Sequence, residues 1–204
     1  MTKLQTLSGP PTVAVFCGAQ AGHSPAYHAA ATALGTGLAR RGIRLVYGGG
    51  RIGLMGAVAD ATLAAGGAVV GVIPEFLTRW EVAHEGVADM LVTDSMHTRK
   101  RHMFELSHAF VSLPGGLGTL DETFEIITWR QLRLHDKPIL VLDVAGSAQP
   151  LLGAIESAIS LGFAKPEVRD LYATFSSVEA VLDRLEAVLP TVTTAGLHAD
   201  ADRL

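Results

Sequence analysis

The stretch Val111-Ser-Leu-Pro-Gly-Gly-Leu-Gly-Thr-Leu-Asp-Glu-Thr-Phe-Glu-Ile-Ile-Thr-Trp-Arg130 decides how this chain is read. It begins as the end of a buried strand, turns at Gly115, Gly116 and Gly118, and continues as a helix. Thr119 and Glu122 have capping-box spacing, and Leu120, Phe124, Ile127 and Gln131 fall on one helical stripe. A Gly-rich turn at a helix start leaves N–H groups pointing outward at the positive end of the dipole, which suits a phosphate. Glycine is needed there because a Cβ would obstruct both positive φ values and the close approach of a ligand.

Working outward, the same strand–turn–helix unit recurs. Thr12 to Phe16 predicts a strand running into the small-residue turn Cys17-Gly-Ala-Gln-Ala-Gly22. Ser24-Pro25 reads as an N-cap followed by proline at the first helical position, and Gly42 ends the Ala-rich helix. Ile43 to Tyr47 predicts a second strand, opening into Gly48-Gly-Gly-Arg-Ile-Gly-Leu-Met-Gly56 and a helix to Ala65. A third strand is expected at Val69 to Ile73, broken by Pro74, then a loop or short helix over the site from Glu75 to Gly86. Met90 to Thr93 reads as a fourth, short strand and Ser95 to Ser107 as a helix. Ala109 to Leu113 is the strand feeding the decisive stretch. Beyond it the pattern predicts a strand at Pro138 to Asp143, a helix at Leu151 to Leu161, a strand at Leu171 to Phe175 and an amphipathic helix at Val178 to Leu189. From Pro190 onward periodicity is lost, and residues 190–204 read as a flexible tail on a single domain with its core at about 12–189.

This alternation implies an α/β, Rossmann-like fold: a mostly parallel sheet with helices on both faces. Ligands of such sheets bind beyond the carboxyl ends of the strands. The Gly-rich turns after Phe16, Tyr47 and Pro114 would all lie on that edge, which says more than any one of them.

Composition narrows the classes further. With 204 residues, 49% hydrophobic and 18% charged, the chain can bury one sizeable α/β core and is not disordered. A net charge of −4 gives no reason to expect nucleic acid or an anionic membrane as partner. Cys17 is the only cysteine, so no intrachain disulfide and no thiolate metal cluster is expected. The residues Met1 to Pro11 lack a secretory pattern and no apolar run has membrane-spanning length, so a cytoplasmic location is expected.

Several motifs carry competing readings. Gly48 to Gly53 matches G-x-G-x-x-G, but it follows the second strand, and only Glu75 stands where the ribose anchor of a dinucleotide belongs. A mononucleotide phosphate held by several turns fits better than NAD. Glu122 is either a capping-box glutamate or a carboxylate held ionised beside a sugar, stabilising oxocarbenium-like charge. Asp121 reads as an outward-facing, solvated charge. Arg99 either belongs to a solvated basic face with Lys100 and Arg101 or points at the strand edge, where its planar fork suits an oxyanion. His97 and His102 fall on different helix faces, and with His84 and His108 they make no ligand spacing, so no metal site is expected. Cys17 reads as a small buried filler, Met55 and Met90 as core, and Trp129 as core or dimer packing. On its surroundings in sequence alone, Glu81 is a loop charge.

Pro114-Gly-Gly-Leu-Gly-Thr-Leu-Asp-Glu122 with Ile127-Thr-Trp129 resembles the PGGxGTxxE signature of the LOG ("Lonely guy") family. Met96-His-Thr-Arg-Lys100 is similar to that family's second signature, in the expected order, and Phe16-Cys-Gly18 and Gly48 to Gly56 match its first two Gly-rich turns. The likeness runs from about Thr12 to Leu189. It implies hydrolysis of the N-glycosidic bond of a cytokinin riboside 5′-monophosphate, or AMP, to free base and ribose 5-phosphate, with no cofactor. By the same resemblance Arg99 and Glu122 correspond to the catalytic pair. Gly18, Gly49, Glu81, Met96, Lys100, Gly115, Gly116, Gly118, Thr119 and Thr128 correspond to nucleotide-binding positions. The turn Cys17-Gly-Ala departs from the family's frequent Cys-Gly-Ser, and Asp121 stands where Glu is common. The resemblance also implies a homodimer. Two rivals accompany it: a nucleotide carrier without turnover, and the amino-acid decarboxylase label, which requires a cofactor-linked lysine. The sequence does not distinguish isoprenoid-substituted from plain adenine.

Overall fold

Short apolar runs that are buried on both faces suit the inner strands of a parallel sheet covered by helices. In the computed structural model, which describes residues 9–78 and 83–190, the strands are β1 (Thr12–Phe16), β2 (Arg44–Tyr47), β3 (Val69–Pro74), β4 (Asp89–Thr93), β5 (Ala109–Ser112), β6 (Ile139–Leu142) and β7 (Ala173–Phe175). They form one parallel sheet in the order β4-β3-β2-β1-β5-β6-β7. The helices are α1 (Pro25–Arg40), α2 (Gly53–Ala64), α3 (Met96–Glu105), α4 (Leu117–Gln131), α5 (Gln149–Ser160) and α6 (Val178–Val188). The expected α/β architecture is therefore observed. Residues 191–204 of the expected tail lie outside the described residues, as does Glu81.

Side-chain alternation along each strand builds two cores. Val13, Val15, Leu45, Tyr47, Val111, Leu140 and Leu142 face α1, α2 and α6, where Leu34, Leu38, Val58 and Leu182 meet them. Ala14, Phe16, Val46, Phe110, Ile139 and Val141 face the other way, towards Met103 of α3, Ile126 and Ile127 of α4, and Leu151 and Ile155 of α5. The caps follow the sequence: Ser24 accepts from the Ala26 N–H ahead of α1, and Ser177 accepts from the Ala180 N–H at the start of α6.

Two expectations shift. The last strand is shorter, because Pro166–Leu171 forms a 3-10 segment that buries Val168 against the second core and leaves only Ala173–Phe175 to pair with β6. The capping box is not formed: α4 starts at Leu117 behind the extended Gly116, with no side-chain cap, so Thr119 lies inside the helix and Glu122 in its second turn. The buried face of α4 is then Thr119, Glu122, Thr123, Ile126 and Ile127, while Gln131 is exposed. Polar residues occupy that face because they find partners there: Thr123 Oγ1 donates to the Thr119 carbonyl and is hydrogen-bonded to Ser112 Oγ.

A polar and aromatic plug fixes the far ends of α3 and α4. Lys137 Nζ donates to the Phe104 carbonyl in the last turn of α3 at 2.7 Å and sits 4.0 Å from the Phe104 ring centroid. His135 Nδ1 accepts from the Lys137 N–H, so its Nε2 carries the proton and donates to the Ile126 carbonyl at 2.9 Å. Burial, above all, pushes the His135 imidazole below its ordinary range. Burial likewise pushes the Lys137 ammonium down to about 8. Between that value and the ordinary 10.5 the unfolded chain holds more protons at this position than the folded one, so Lys137 makes stability rise with pH. Below it the full cost of the buried charge is present. Lys137→Met is expected to abolish that rise, so that urea titrations at about pH 7.5 and about pH 9.5 show wild type gaining on the variant at the higher pH. A difference independent of pH would show that the lysine is charged equally in both states.

Candidate active site

The chain moves outward across the sheet in one direction from β1 through β2 and β3 to β4, and in the other from β5 through β6 to β7. Because β1 and β5 are neighbours, the turns that follow them diverge and leave a crevice beyond their carboxyl ends. A cavity of about 560 Å³ occupies that crevice. Its walls are the turn after β1 (Cys17 to Gly22), Gly48 after β2, and the turn after β5 with the first turns of α4 (Pro114 to Thr119, and Glu122). Tyr27 of α1, Leu54 and Met55 of α2, Arg99 of α3 and Ser147 after β6 complete it.

The turns interlock through their backbones. The Gly18 N–H donates to the Pro114 carbonyl at 3.0 Å, and the Gly18 carbonyl accepts from the N–H of Leu54 at 3.0 Å and of Met55 at 3.4 Å. A Cβ on Gly18 would lie 2.9 Å from the Gln20 carbonyl oxygen and 3.3 Å from the Gly115 Cα, so the approach requires glycine. Gly53, at φ +62°, meets the Ala19 backbone in the same way. One consequence separates the two glycine-rich helix starts. The Leu54 and Met55 amides of α2 are spent on Gly18, and Gly53 packs on the Ala19 backbone, so the G-x-G-x-x-G stretch at Gly48 to Gly53 serves packing between turns. The first-turn N–H groups of α4, from Leu117 to Thr119, have no intrahelical acceptor and border the cavity.

Arg99 is only 5% exposed. Its Nε donates to the Val72 carbonyl at 3.1 Å and its Nη2 to the Gly48 carbonyl at 3.0 Å, so the guanidinium is held across the ends of β3 and β2. Gly48 makes the room: a Cβ there would collide with Arg99 Nη2 and come within 2.8 Å of Met55 Sδ. Glu122, 8% exposed, lines the cavity from α4. The crevice thus places a buried guanidinium, a buried carboxylate and a helix N-terminus around one space, an arrangement suited to an anionic ligand whose reaction develops positive charge.

Of the expected contacts, Gly18, Arg99, Gly115, Gly116, Gly118, Thr119 and Glu122 line this space. Gly49, Met96, Lys100 and Thr128 are not among the residues that line it. Gly49 accepts from the His84 N–H at 3.0 Å and anchors the end of the loop after β3, where Ala83 bridges Gly50. Met96 lies with its Sδ 3.7 Å from Arg99 Nη1. Lys100 is paired with Asp121 and Glu125, and Thr128 is on the exposed side of α4. The outward Asp121 is observed, and Trp129 packs edge-on against Phe104. Cys17 and Met55 are buried but also line the cavity, and Met90 is half-buried against Gly49. Among the described residues no group of three or more His, Cys, Asp or Glu could hold a metal ion.

Sequence reasoning missed Gln20, Tyr27 and Ser147. Ser147 follows β6 at the same sheet edge, so the rule that found the other turns could have found it. Its Oγ accepts from the Val144 N–H at 3.1 Å, which leaves the hydroxyl proton to donate.

Residues 55–185 match a protein family described as "Possible lysine decarboxylase". A cytokinin riboside 5′-monophosphate phosphoribohydrolase of Arabidopsis thaliana is 44% identical over 178 residues, covering 87% of this chain and 84% of that one. A protein of the same description from Rhodococcoides fascians is 45% identical over 174 residues, covering 85% of this chain and 88% of its own. Among solved structures, the molybdenum cofactor binding protein of Rippkaea orientalis aligns with a TM-score of 0.68 over 89% of this chain and 98% of that one, at 22% identity. That likeness shows the fold.

The interlocked turns set two left-handed glycines apart. Gly66, at φ +78°, has open space where a Cβ would stand, whereas Gly53 has the Ala19 backbone. Gly66→Ala is expected to cost about 1 kcal/mol in urea unfolding, and Gly53→Ala more than about 2 kcal/mol. Equal losses would mean that the first turn gives way without cost.

Proposed function

The chain belongs to the cytokinin riboside 5′-monophosphate phosphoribohydrolase (LOG) family, and we propose from this premise that it hydrolyses the N-glycosidic bond of such nucleotides, and of AMP, to free base and ribose 5-phosphate. The observation that carries the reading is the shared cavity of Arg99, Glu122 and the open N-terminus of α4.

In the proposed mechanism the N–H groups of Leu117, Gly118 and Thr119 receive the 5′-phosphate at the positive end of α4. Gly116 keeps the approach clear, and Gly115 leaves room for the Thr119 side chain. With the phosphate fixed, the ribose lies towards Glu122. As the bond between the anomeric carbon and the base nitrogen lengthens, positive charge spreads over that carbon and the ring oxygen, and the Glu122 carboxylate stabilises it. Glu122 also orients the water whose oxygen bonds to the anomeric carbon; that water gives up one proton as the departing nitrogen takes one up, so the sum is addition of one water across the broken bond. Arg99, immobilised by the two strand-end carbonyls, fixes the nucleotide and assists departure of the base. Apolar walls from Val15, Leu54 and Met55 exclude bulk water from this region.

The decarboxylase description does not fit the site, because none of the described residues lining the cavity is a lysine. Among the described lysines, Lys100 is held by two carboxylates, Lys137 is enclosed by aromatic rings and Lys165 is exposed. Among the described residues, then, no lysine is placed in the cavity to form a Schiff base with pyridoxal phosphate.

The reading further takes the protein to be a cytoplasmic homodimer without nucleic-acid partners. Exposed Leu132, Leu134 and Phe163 are apolar side chains that a second copy would cover. No described helix is long and apolar enough to cross a membrane.

Glu122→Gln preserves shape and removes the anion. It is expected to retain AMP binding and to lower adenine release by about 10²- to 10⁴-fold, followed by chromatography of AMP incubations. Release at the wild-type rate would remove Glu122 from the chemistry. Running isopentenyladenosine monophosphate in parallel sets the base preference.

A further inference from the structure

Ser147 lines the cavity from the loop after β6, on the opposite flank from Arg99. The Arg99 guanidinium is held over the ends of β2 and β3, and β1 and β5 lie between it and β6. Neighbouring strands are about 4.8 Å apart, so the segment after β5 that opens α4 is about one spacing from the loop of Ser147 and about two from β2. A recess of about 30 Å³ shows the same neighbourhood, since Leu113, Gly115, Thr119 and Thr123 wall it together with Ser147. Among the described residues that line the cavity Arg99 is the only cation, so the end nearest α4 offers an anion neutral donors.

The loop holds this serine in place. Val144 to Ser147 is a tight turn, closed by the Ser147 N–H on the Val144 carbonyl at 3.0 Å. Ala145 at φ +51° and Gly146 at φ +82° are both left-handed, as in a type I′ turn, and Ala145 is held there against its own preference. The Val144 N–H donates back to Ser147 Oγ at 3.1 Å. That bond uses a lone pair and leaves the hydroxyl proton, which no acceptor among the described residues receives. The first amides of α5 are spent nearby, Ala148 on Asp143 Oδ1 at 3.0 Å and Gln149 on the Gly146 carbonyl at 3.1 Å. What this loop presents to the cavity is therefore the hydroxyl of Ser147.

We propose that Ser147 completes the phosphate seat: its hydroxyl donates to an oxygen of the 5′-phosphate beside the amides of Leu117, Gly118 and Thr119, and so selects nucleoside monophosphates over nucleosides. This rests on the hydrolase reading, which seats the phosphate at the start of α4. A hydrogen bond to an ionised acceptor is about twice as strong as one between neutral groups, so a single hydroxyl suffices to discriminate. The phosphate takes no part in breaking the glycosidic bond. The contact is then equally strong in the ground and transition states, and its loss appears in binding and not in turnover.

The test is calorimetric titration of AMP and of adenosine into the Glu122→Gln chain, alone and combined with Ser147→Ala or Ser147→Asp. Ser147→Ala is expected to weaken AMP about tenfold and adenosine by less than about twofold. Ser147→Asp keeps an acceptor for the Val144 N–H and puts an anion in place of the proton. AMP binding should then fall by about 100-fold or more, with adenosine again little changed. Unchanged AMP binding in Ser147→Ala, or equal losses for the two ligands, would overturn the proposal, the second by putting the hydroxyl on the sugar or base. With Glu122 restored, Ser147→Ala should raise KM for AMP about tenfold at nearly unchanged kcat, read as adenine release. The titrations need no turnover, so a wild type that releases no adenine would remove the hydrolase reading while the phosphate contact is still decided by the AMP and adenosine affinities.

Discussion

Everything at the carboxyl edge of this sheet depends on the absence of one carbon atom at Gly18. Its amide and carbonyl reach in opposite directions, to Pro114 and to the start of α2, and a side chain would push the first turn off the third. The crevice between β1 and β5 thereby becomes a defined cavity, with walls fixed by backbone hydrogen bonds. Backbone atoms have no rotamers, so such walls are already organised before a ligand arrives.

Within that frame, backbone polarity sorts the charges. Carbonyls at the ends of β2 and β3 hold the Arg99 cation, and the amides that open α4 offer a place for an anion. Glu122 lies a turn further into α4 and still on the cavity wall. The Arg99 cation thus faces the negative ends of two backbone dipoles. The supports are then mechanical: Lys137 closes the end of α3, and α3 meets α4 at the Lys100 ion pairs and at the Phe104–Trp129 ring contact.

The architecture was legible because strand, turn and helix each leave a local signature. Short continuous apolar runs alternating with helical patterns pointed to a sheet covered on both sides, and glycines at three strand ends marked the edge where ligands collect. The site was legible in part. Gly115 to Thr119, Arg99 and Glu122 stand where their motifs pointed, whereas the capping-box role of Glu122 failed because α4 begins earlier, at Leu117. Lys100 could not be assigned from sequence, since its partners lie on a helix about twenty residues away and only the crossing of α3 and α4 brings them together. Ser147 carries no motif at all; it belongs to the site by position on the sheet, as Gln20 does within the turn after β1.

The chain spells a dinucleotide fingerprint at Gly48 to Gly53 and declines to use it. Spacing alone is blind to the difference, because the same letters serve whether the helix behind them greets a diphosphate or is already stoppered by a neighbouring loop. In this molecule the stopper is the carbonyl of Gly18, which occupies the amides of Leu54 and Met55. One helix start is stoppered and the other left open, so of these two helices it is α4 that turns unspent amides towards the pocket.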